Sequence, residues 1–111
     1  MRASLNRLVS VTFAAATAIA MSGAMAQTPD VPTLLGHYGC ALCHADREWV
    51  AAPAWADIAE EYRKDRRASS HLMEVVRKGK HGDAVWPMPP LPQVTDADAK
   101  RIVTYILETK P

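Results

Sequence analysis

The chain has 111 residues, with 13 basic and 12 acidic side chains and a formal net charge of +1. This length fits one small domain. The numbers of basic and acidic side chains are nearly equal, which does not indicate nucleic-acid binding, because that function relies on a basic surface. Cys40 and Cys43 are the only cysteines, so no other cysteine competes for a motif that contains them.

The N-terminus has the pattern of a secretory signal peptide. Arg2 and Arg7 form a basic start, an apolar stretch covers residues 8–21, and the sequence A-M-A at residues 24–26 fits the A-x-A cleavage rule. The apolar stretch is shorter than the roughly 20 residues that span a bilayer, so a cleaved leader is favoured over a retained membrane anchor. The arginines are single rather than paired, which favours Sec export over twin-arginine export.

We therefore expect residues 1–26 to be removed and residues 27–111 to form one mature domain in a bacterial periplasm, with no stable membrane span. The mature chain would have 85 residues, because 26 of the 111 are lost. A domain of this size buries a thin core and often relies on a covalent or metal staple.

Helix signals dominate the mature chain, and strand signals are weak. Apolar spacing, caps and glycines predict four helices: one from Pro32 to near Gly39, one from Ala54 to Arg67, one from Ser69 or Ser70 to Gly79, and one from Thr95 to Lys110. Prolines exclude a helix between residues 80 and 94. The predicted fold class is therefore all-α.

The stretch from Cys40 to His44 reads C-x-x-C-H, which is the attachment motif of c-type haem. Two thiols at this spacing add to the two vinyl groups of haem as thioethers, and the histidine that follows ligates the iron from the proximal side. A covalently held haem would also be a staple for a domain of this size. We expect one haem c, attached through Cys40 and Cys43, with His44 as an axial iron ligand.

Other interpretations of C-x-x-C stay open on the motif alone. A thioredoxin-like redox pair needs a βαβ setting, which the sequence pattern lacks. A zinc site usually needs two further cysteines or histidines at metal spacing, and neither a second C-x-x-C nor an H-x-x-x-H occurs. A short structural disulfide is the third alternative.

Met88 is the candidate for the second axial ligand. Prolines on both sides fix the backbone dihedral φ and stiffen its loop, and a thioether is a soft, neutral donor that favours Fe(II). His81 is the main rival, and an open or water-ligated iron is the other alternative. Met73 is expected in the core, and His71 is expected near a helix start.

Taken together, these residues resemble the short bacterial class I cytochromes c. The resemblance covers essentially the whole mature chain and rests on G-C-A-L-C-H, A-P-A-W, W-P-M-P-P and a capped C-terminal helix. It implies the class I fold, with about four helices wrapped around one covalently attached haem. In that family a proline carbonyl accepts a hydrogen bond from the ring of the haem histidine, and Pro53 matches that proline.

The resemblance also suggests residues that contact the haem propionates. Relatives often carry a tryptophan several residues before the ligand methionine, whereas Trp86 is only two residues before Met88. Propionate contact and packing on the haem edge therefore both stay open for Trp86. Arg47 and Trp55 are further candidates for propionate contact. Simple packing is the alternative for each of the tryptophans, including Trp49.

The function that these features imply is electron transfer in the periplasm. His44 and Met88 would hold an iron that cycles between Fe(III) and Fe(II), and the partners would be periplasmic redox proteins that a monomeric carrier meets transiently. No substrate bond is broken in this reaction, so no catalytic residue and no enzyme activity is expected. A basic cluster of Arg77, Lys78 and Lys80 would either steer an acidic partner or be a solvated helix end.

Two alternatives remain for the function. The chain would be a tightly bound cytochrome subunit of a periplasmic dehydrogenase if it kept a constant partner. It would be a haem-based ligand sensor if its sixth iron site were labile.

Overall fold

A computed structural model describes residues 14–81 and 87–111 of the chain. Four α-helices and one short 3-10 helix follow in order: α1 Val31–His37, the 3-10 helix Cys40–Leu42, α2 Trp55–Glu61, α3 Ala68–Lys78 and α4 Asp96–Glu108. Within those residues the only extended pairing is an isolated antiparallel bridge between Lys80 and Met88. The all-α prediction is confirmed.

Helix α1 begins and ends where local chemistry favours it. The Asp30 carboxylate accepts a hydrogen bond from the Thr33 N–H at 2.8 Å, which satisfies one of the free donors of the first turn. Pro32 also lies in this turn, where a missing N–H costs nothing. After the C-cap at Tyr38, Gly39 adopts φ 78° and turns the chain into Cys40. The predicted end of this helix is confirmed.

Helix α2 is shorter than predicted, because it ends at Glu61 and not at Arg67. Beyond this end the Arg63 N–H bonds to the Glu60 carbonyl at 3.3 Å, and the Asp65 carboxylate accepts from the Arg67 N–H at 2.8 Å. An aspartate that bonds a nearby backbone N–H in this way competes with helical hydrogen bonding. The chain therefore turns at Asp65 before the next helix.

The start of α3 also differs from the prediction. The helix begins at Ala68, and the side chain of its N-cap residue, Arg67, makes no capping hydrogen bond. Ser69 and Ser70 lie inside the first turn, and the Ser70 hydroxyl donates to the Arg67 carbonyl at 2.9 Å. The prediction that a serine caps this helix is wrong. Its predicted end at Gly79 is confirmed.

Helix α4 packs against α1, α2 and α3 and supplies the centre of the core. Ile102 and Val103 are fully buried. Around them lie the other buried members of the core cluster, which are Leu34, Leu35, Trp55, Leu72, Val76, Val94, Ala99 and Ile106. The core thus draws on all four helices and on Val94, which lies just before α4.

The N-terminal end of α4 also fastens the first helix. The Thr95 hydroxyl accepts from the Asp98 N–H at 3.2 Å, so the predicted cap is confirmed. The Asp98 carboxylate accepts a 2.6 Å hydrogen bond from the Tyr38 hydroxyl. At the other end the helix stops at Glu108, so Lys110 lies beyond the last turn and not in it as predicted.

Across the parts of the chain that the structure describes, no helix combines the length and the apolar character needed to cross a membrane.

Candidate haem site

The C-x-x-C-H motif forms one tight turn directly after α1. The N–H groups of Cys43 and His44 both donate to the Cys40 carbonyl, at 3.2 Å and 3.0 Å. Cys40 is half-buried and Cys43 is exposed. The turn therefore places two cysteine sulfurs and one imidazole within five consecutive residues.

The environment of these thiols does not favour dithiol chemistry. Burial raises the pKa of the Cys40 thiol above its ordinary value, whereas redox-active cysteines carry a lowered pKa. The motif lies between short helices, and the part of the chain that the structure describes contains no βαβ unit of the thioredoxin-like kind. Among residues 14–81 and 87–111, no group of three His, Cys, Asp or Glu side chains could hold a metal ion.

His44 is oriented by two neighbours on the chain that follows it. Its Nδ1 lies 2.6 Å from the Pro53 carbonyl oxygen, and because a carbonyl only accepts, Nδ1–H is the donor. The indole of Trp55 stacks on the imidazole, with ring centroids 4.3 Å apart and an interplanar angle of 21°. The ring orientation is thus fixed, and Nε2 is the ring nitrogen that is available to ligate a metal.

The protonation state of His44 suits the same role. Burial lowers the pKa of its imidazole, and the hydrogen bond to the Pro53 carbonyl opposes that effect in part. A lowered pKa leaves the imidazole neutral near pH 7, which is the form that ligates a metal.

The loop between the motif and α2 folds back on itself, which brings Pro53 to His44. The N–H groups of Ala51 and Ala52 both donate to the Cys43 carbonyl, at 3.2 Å and 3.0 Å. The Trp55 N–H donates to the Ala45 carbonyl at 2.9 Å. These bonds are between backbone groups, so the sequence pattern gave no sign of them.

Met88 lies on the segment that pairs with the end of α3. Its N–H and carbonyl both bond to Lys80, at 3.1 Å each, and its side chain is half-buried against the core. Of the rivals, Met73 packs against the same core, while His81 is exposed. His71 lies 2.5 Å from the Asp65 carboxylate, so its Nδ1 already has a partner.

Arg47 and Trp55, two of the residues suggested for propionate contact, have different surroundings. Arg47 is exposed and lines a shallow cavity of about 420 Å³ beside Tyr105 and the C-terminal end of α4, and neither His44 nor Met88 lines this cavity. Trp55 is buried in the core, whereas Trp49 is 66% exposed. Trp86 lies outside the residues that the structure describes.

The basic cluster at the end of α3 is neutralised by nearby carboxylates. Arg77 pairs with Asp96. Lys78 pairs with Glu74 at 2.8 Å, and Lys80 lies 3.8 Å from a Glu61 oxygen. This arrangement favours a solvated helix end over a patch that steers an acidic partner.

The donor set fits a covalently attached haem. Two thiols stand at the right sequence spacing, a neutral imidazole has its Nδ1 engaged and its Nε2 available, and a thioether lies on a separate segment held by backbone pairing. A small all-α domain with this set belongs to the class of c-type haem proteins.

Comparison with known proteins identifies the family. Residues 21–110 match the family described as Cytochrome c, and the chain belongs to it. Haem c, held through the C-x-x-C-H motif that Cys40 and Cys43 complete, is therefore its cofactor.

Similar sequences and a similar solved structure support this assignment. The chain is 40% identical over 75 residues to cytochrome c-552 of Hydrogenobacter thermophilus, covering 65% of this chain and 74% of the relative. It is 33% identical over 91 residues to cytochrome c-551 of Pseudomonas aeruginosa, covering 79% and 83%. The crystal structure of wild-type Nitrosomonas europaea cytochrome c552 superposes with a TM-score of 0.67 at 35% identity, covering 71% of this chain and 99% of that one. The predicted class I cytochrome fold is confirmed.

Proposed function

We propose that this cytochrome c carries single electrons between redox proteins of a bacterial periplasm, with His44 and Met88 as the axial ligands of its haem iron. One observation carries the proposal most directly. The His44 ring is fixed by the Pro53 carbonyl at 2.6 Å and is stacked on Trp55, so Nε2 is presented by a rigid support. The relatives named above are all small cytochromes c, which supports an electron-transfer role.

When bound, haem c supplies a one-electron Fe(III)/Fe(II) couple. The chain contributes a neutral nitrogen donor at His44 and a soft sulfur donor at Met88, which together favour Fe(II) and raise the reduction potential. The prolines that flank Met88 restrict its backbone, which limits the rearrangement of the ligand when the electron arrives. Electron transfer breaks no substrate bond, so this function needs no acid, base or nucleophile.

A visible absorption spectrum tests the ligand pair first. The oxidised and dithionite-reduced forms of the exported protein are compared. We expect sharp reduced α and β bands together with the weak far-red band of iron–methionine ligation in the oxidised form. Low-spin bands without the far-red band would transfer the ligand assignment from Met88 to another residue such as His81.

Substitution of Met88 tests the same assignment by residue. We expect Met88→Ala to lower the reduction potential and to open the iron to carbon monoxide, because a soft ligand is lost. Met73→Ala is the matched control, since Met73 is also a half-buried methionine packed against the core. An unchanged potential and spectrum in Met88→Ala would remove Met88 from the proposal.

The periplasmic location rests on the signal-peptide pattern of residues 1–26. In the structure, residues 14–26 are exposed and lie outside every helix. We propose cleavage after Ala26, which intact-mass spectrometry of protein purified from the periplasm would test. A mass that includes the leader would contradict cleavage.

The electron is proposed to leave near the attachment turn. Leu42 is 80% exposed, and Pro89 and Pro90 on the Met88 segment are also exposed. A small apolar rim of this kind suits brief encounters with redox partners.

A second candidate is a fixed subunit of a periplasmic dehydrogenase. The observation that favours it is the exposure of two further large apolar residues, Trp49 at 66% and Val50 at 59%. Size-exclusion chromatography of the protein purified gently from its own periplasm distinguishes the two. A monomer supports the free carrier, and a partner that co-elutes in constant ratio supports the subunit.

A further inference from the structure

The segment that carries Met88 is fastened to the C-terminal end of α3. Lys80 and Met88 exchange both of their backbone hydrogen bonds at 3.1 Å, and the Leu91 N–H donates to the Val76 carbonyl at 2.9 Å. Three hydrogen bonds between backbone groups therefore hold residues 88–91 against residues 76–80. The proposed ligand owes its location to this contact.

Gly79 lies at the closest point of the contact. Its φ of 75° and ψ of 177° belong to a region that glycine alone adopts readily. A Cβ at this position would collide with the Met88 carbonyl oxygen and would lie 2.9 Å from the Pro90 nitrogen and 3.0 Å from the Pro89 carbonyl carbon. All three are backbone atoms, so no side-chain rotation relieves the collision.

We propose that Gly79 is a positioning residue for Met88. Its missing side chain lets the backbone of residues 88–90 lie directly on the end of α3, and this approach sets where the Met88 thioether is presented. The prolines at 89 and 90 have fixed φ, so a Cβ at residue 79 would displace the segment as a whole. The inference rests on the proposed role of Met88 as an axial ligand, and it adds the feature that holds that ligand in place.

Another glycine provides a matched control. Gly36 lies in α1, and a Cβ there meets nothing within 4 Å. Alanine at residue 36 therefore tests the replacement of a glycine without a collision.

The experiment measures two properties of the haem-loaded proteins: the amplitude of the far-red band in the oxidised form and the affinity of the reduced form for carbon monoxide. We expect Gly79→Ala to lose most of the far-red band and to bind carbon monoxide at least about tenfold more tightly, since a displaced thioether competes less well. Gly36→Ala should keep the band and the affinity of the unsubstituted protein.

The outcomes separate this inference from the proposed function. If Gly79→Ala keeps both properties while Met88→Ala loses them, the positioning role is wrong and the ligand stands. If Met88→Ala also keeps the band, the ligand assignment itself is wrong, and the positioning role falls with it. Equal losses in Gly36→Ala and Gly79→Ala would trace the effect to the loss of any glycine and overturn the inference.

A second variant covers the case in which Gly79→Ala does not accumulate with haem. The double variant Gly79→Ala/Pro90→Gly is then compared with Pro90→Gly alone, because a glycine at residue 90 gives the crowded segment room to move. A weaker far-red band and tighter carbon monoxide binding in the double variant support the inference. Identical behaviour of the two proteins overturns it.

Discussion

At the scale of single residues, Trp55 has two roles in one position. It is 5% exposed in the core, and its indole stacks on the His44 imidazole. The same ring therefore stabilises the fold and limits the rotation of the proposed ligand. The hydrogen bond from His44 to the Pro53 carbonyl acts in the same direction, and one loop delivers both neighbours.

We expect Trp55→Ala to lower the free energy of unfolding by about 3–5 kcal/mol, because a large buried ring is lost and a cavity remains. The measurement is guanidinium unfolding of the haem-loaded protein, followed by circular dichroism. Trp49→Ala is the matched control, since Trp49 is 66% exposed, and its effect should stay within about 0.5 kcal/mol. Similar decreases in the free energy of unfolding for the two variants would show that burial of Trp55 does not stabilise the fold more than exposed Trp49 does.

Roles of single residues could be predicted from the sequence where the interacting residues are close together in the chain. Cys40, Cys43 and His44 form a local motif with the spacing of haem attachment, and this motif together with the rest of the sequence pattern predicted haem c as the cofactor. Pro53 was predicted only through the family resemblance, because it contacts His44 through its own backbone carbonyl, a group that every residue carries. Gly79 was predicted as a helix stop, and its contact with the Met88 segment required the three-dimensional structure.

At the scale of elements, the turn between α2 and α3 depends on Asp65. Its carboxylate accepts from the Arg67 N–H and lies 2.5 Å from the His71 imidazole. These contacts hold the pKa of Asp65 below its ordinary value, with the hydrogen bond from the Arg67 N–H as the largest cause. The ionised carboxylate therefore stabilises the folded state.

The pH dependence of stability follows from the sign of this shift. Because the folded pKa is lowered, the contribution of Asp65 is fully present above its unfolded pKa of about 4 and is lost as the pH falls through the lower folded pKa. We expect Asp65→Asn to be less stable than the unsubstituted protein near neutral pH, with a difference that shrinks on acidification. Urea unfolding across a series of pH values measures this difference.

Glu48→Gln is the control for the pH experiment, since Glu48 is an exposed carboxylate on the loop after the motif. Its stability should track that of the unsubstituted protein at each pH. A difference for Asp65→Asn that stays constant, or that grows toward acid, would contradict the assigned role of the ionised carboxylate.

The ends of the helices show where sequence patterns are insufficient. Apolar periodicity located all four helices, because each presents an apolar face to the same core. It extended α2 to Arg67, whereas the helix ends at Glu61 and the Asp65 carboxylate accepts from the Arg67 N–H in the turn that follows. A local bond of this kind competes with helical hydrogen bonding without changing the apolar pattern.

At the scale of the whole molecule, α4 joins the three other helices. It packs against each of them, and its side chains are the most deeply buried of the core. The core cluster still has only ten buried members among the described residues. A small single domain has little apolar area to bury, and its stability is correspondingly small.

Covalent haem is the feature that offsets this small core. Covalent attachment keeps this large apolar group beside its binding site at a high effective concentration, and its burial stabilises the folded state by on the order of 3 kcal/mol. We expect the double variant Cys40→Ala/Cys43→Ala to lose haem on denaturing electrophoresis. Its melting temperature should fall by on the order of 15 °C.

The single variants separate attachment from the loss of thiols. Cys40→Ala and Cys43→Ala each leave one thiol for a single thioether, so their melting temperatures should lie between those of the unsubstituted protein and the double variant. Thermal unfolding by circular dichroism, with haem content determined on the same samples, provides the comparison. A double variant that melts at the temperature of the unsubstituted protein would show that the helices are stable by themselves, and the covalent haem would then serve electron transfer without serving the fold.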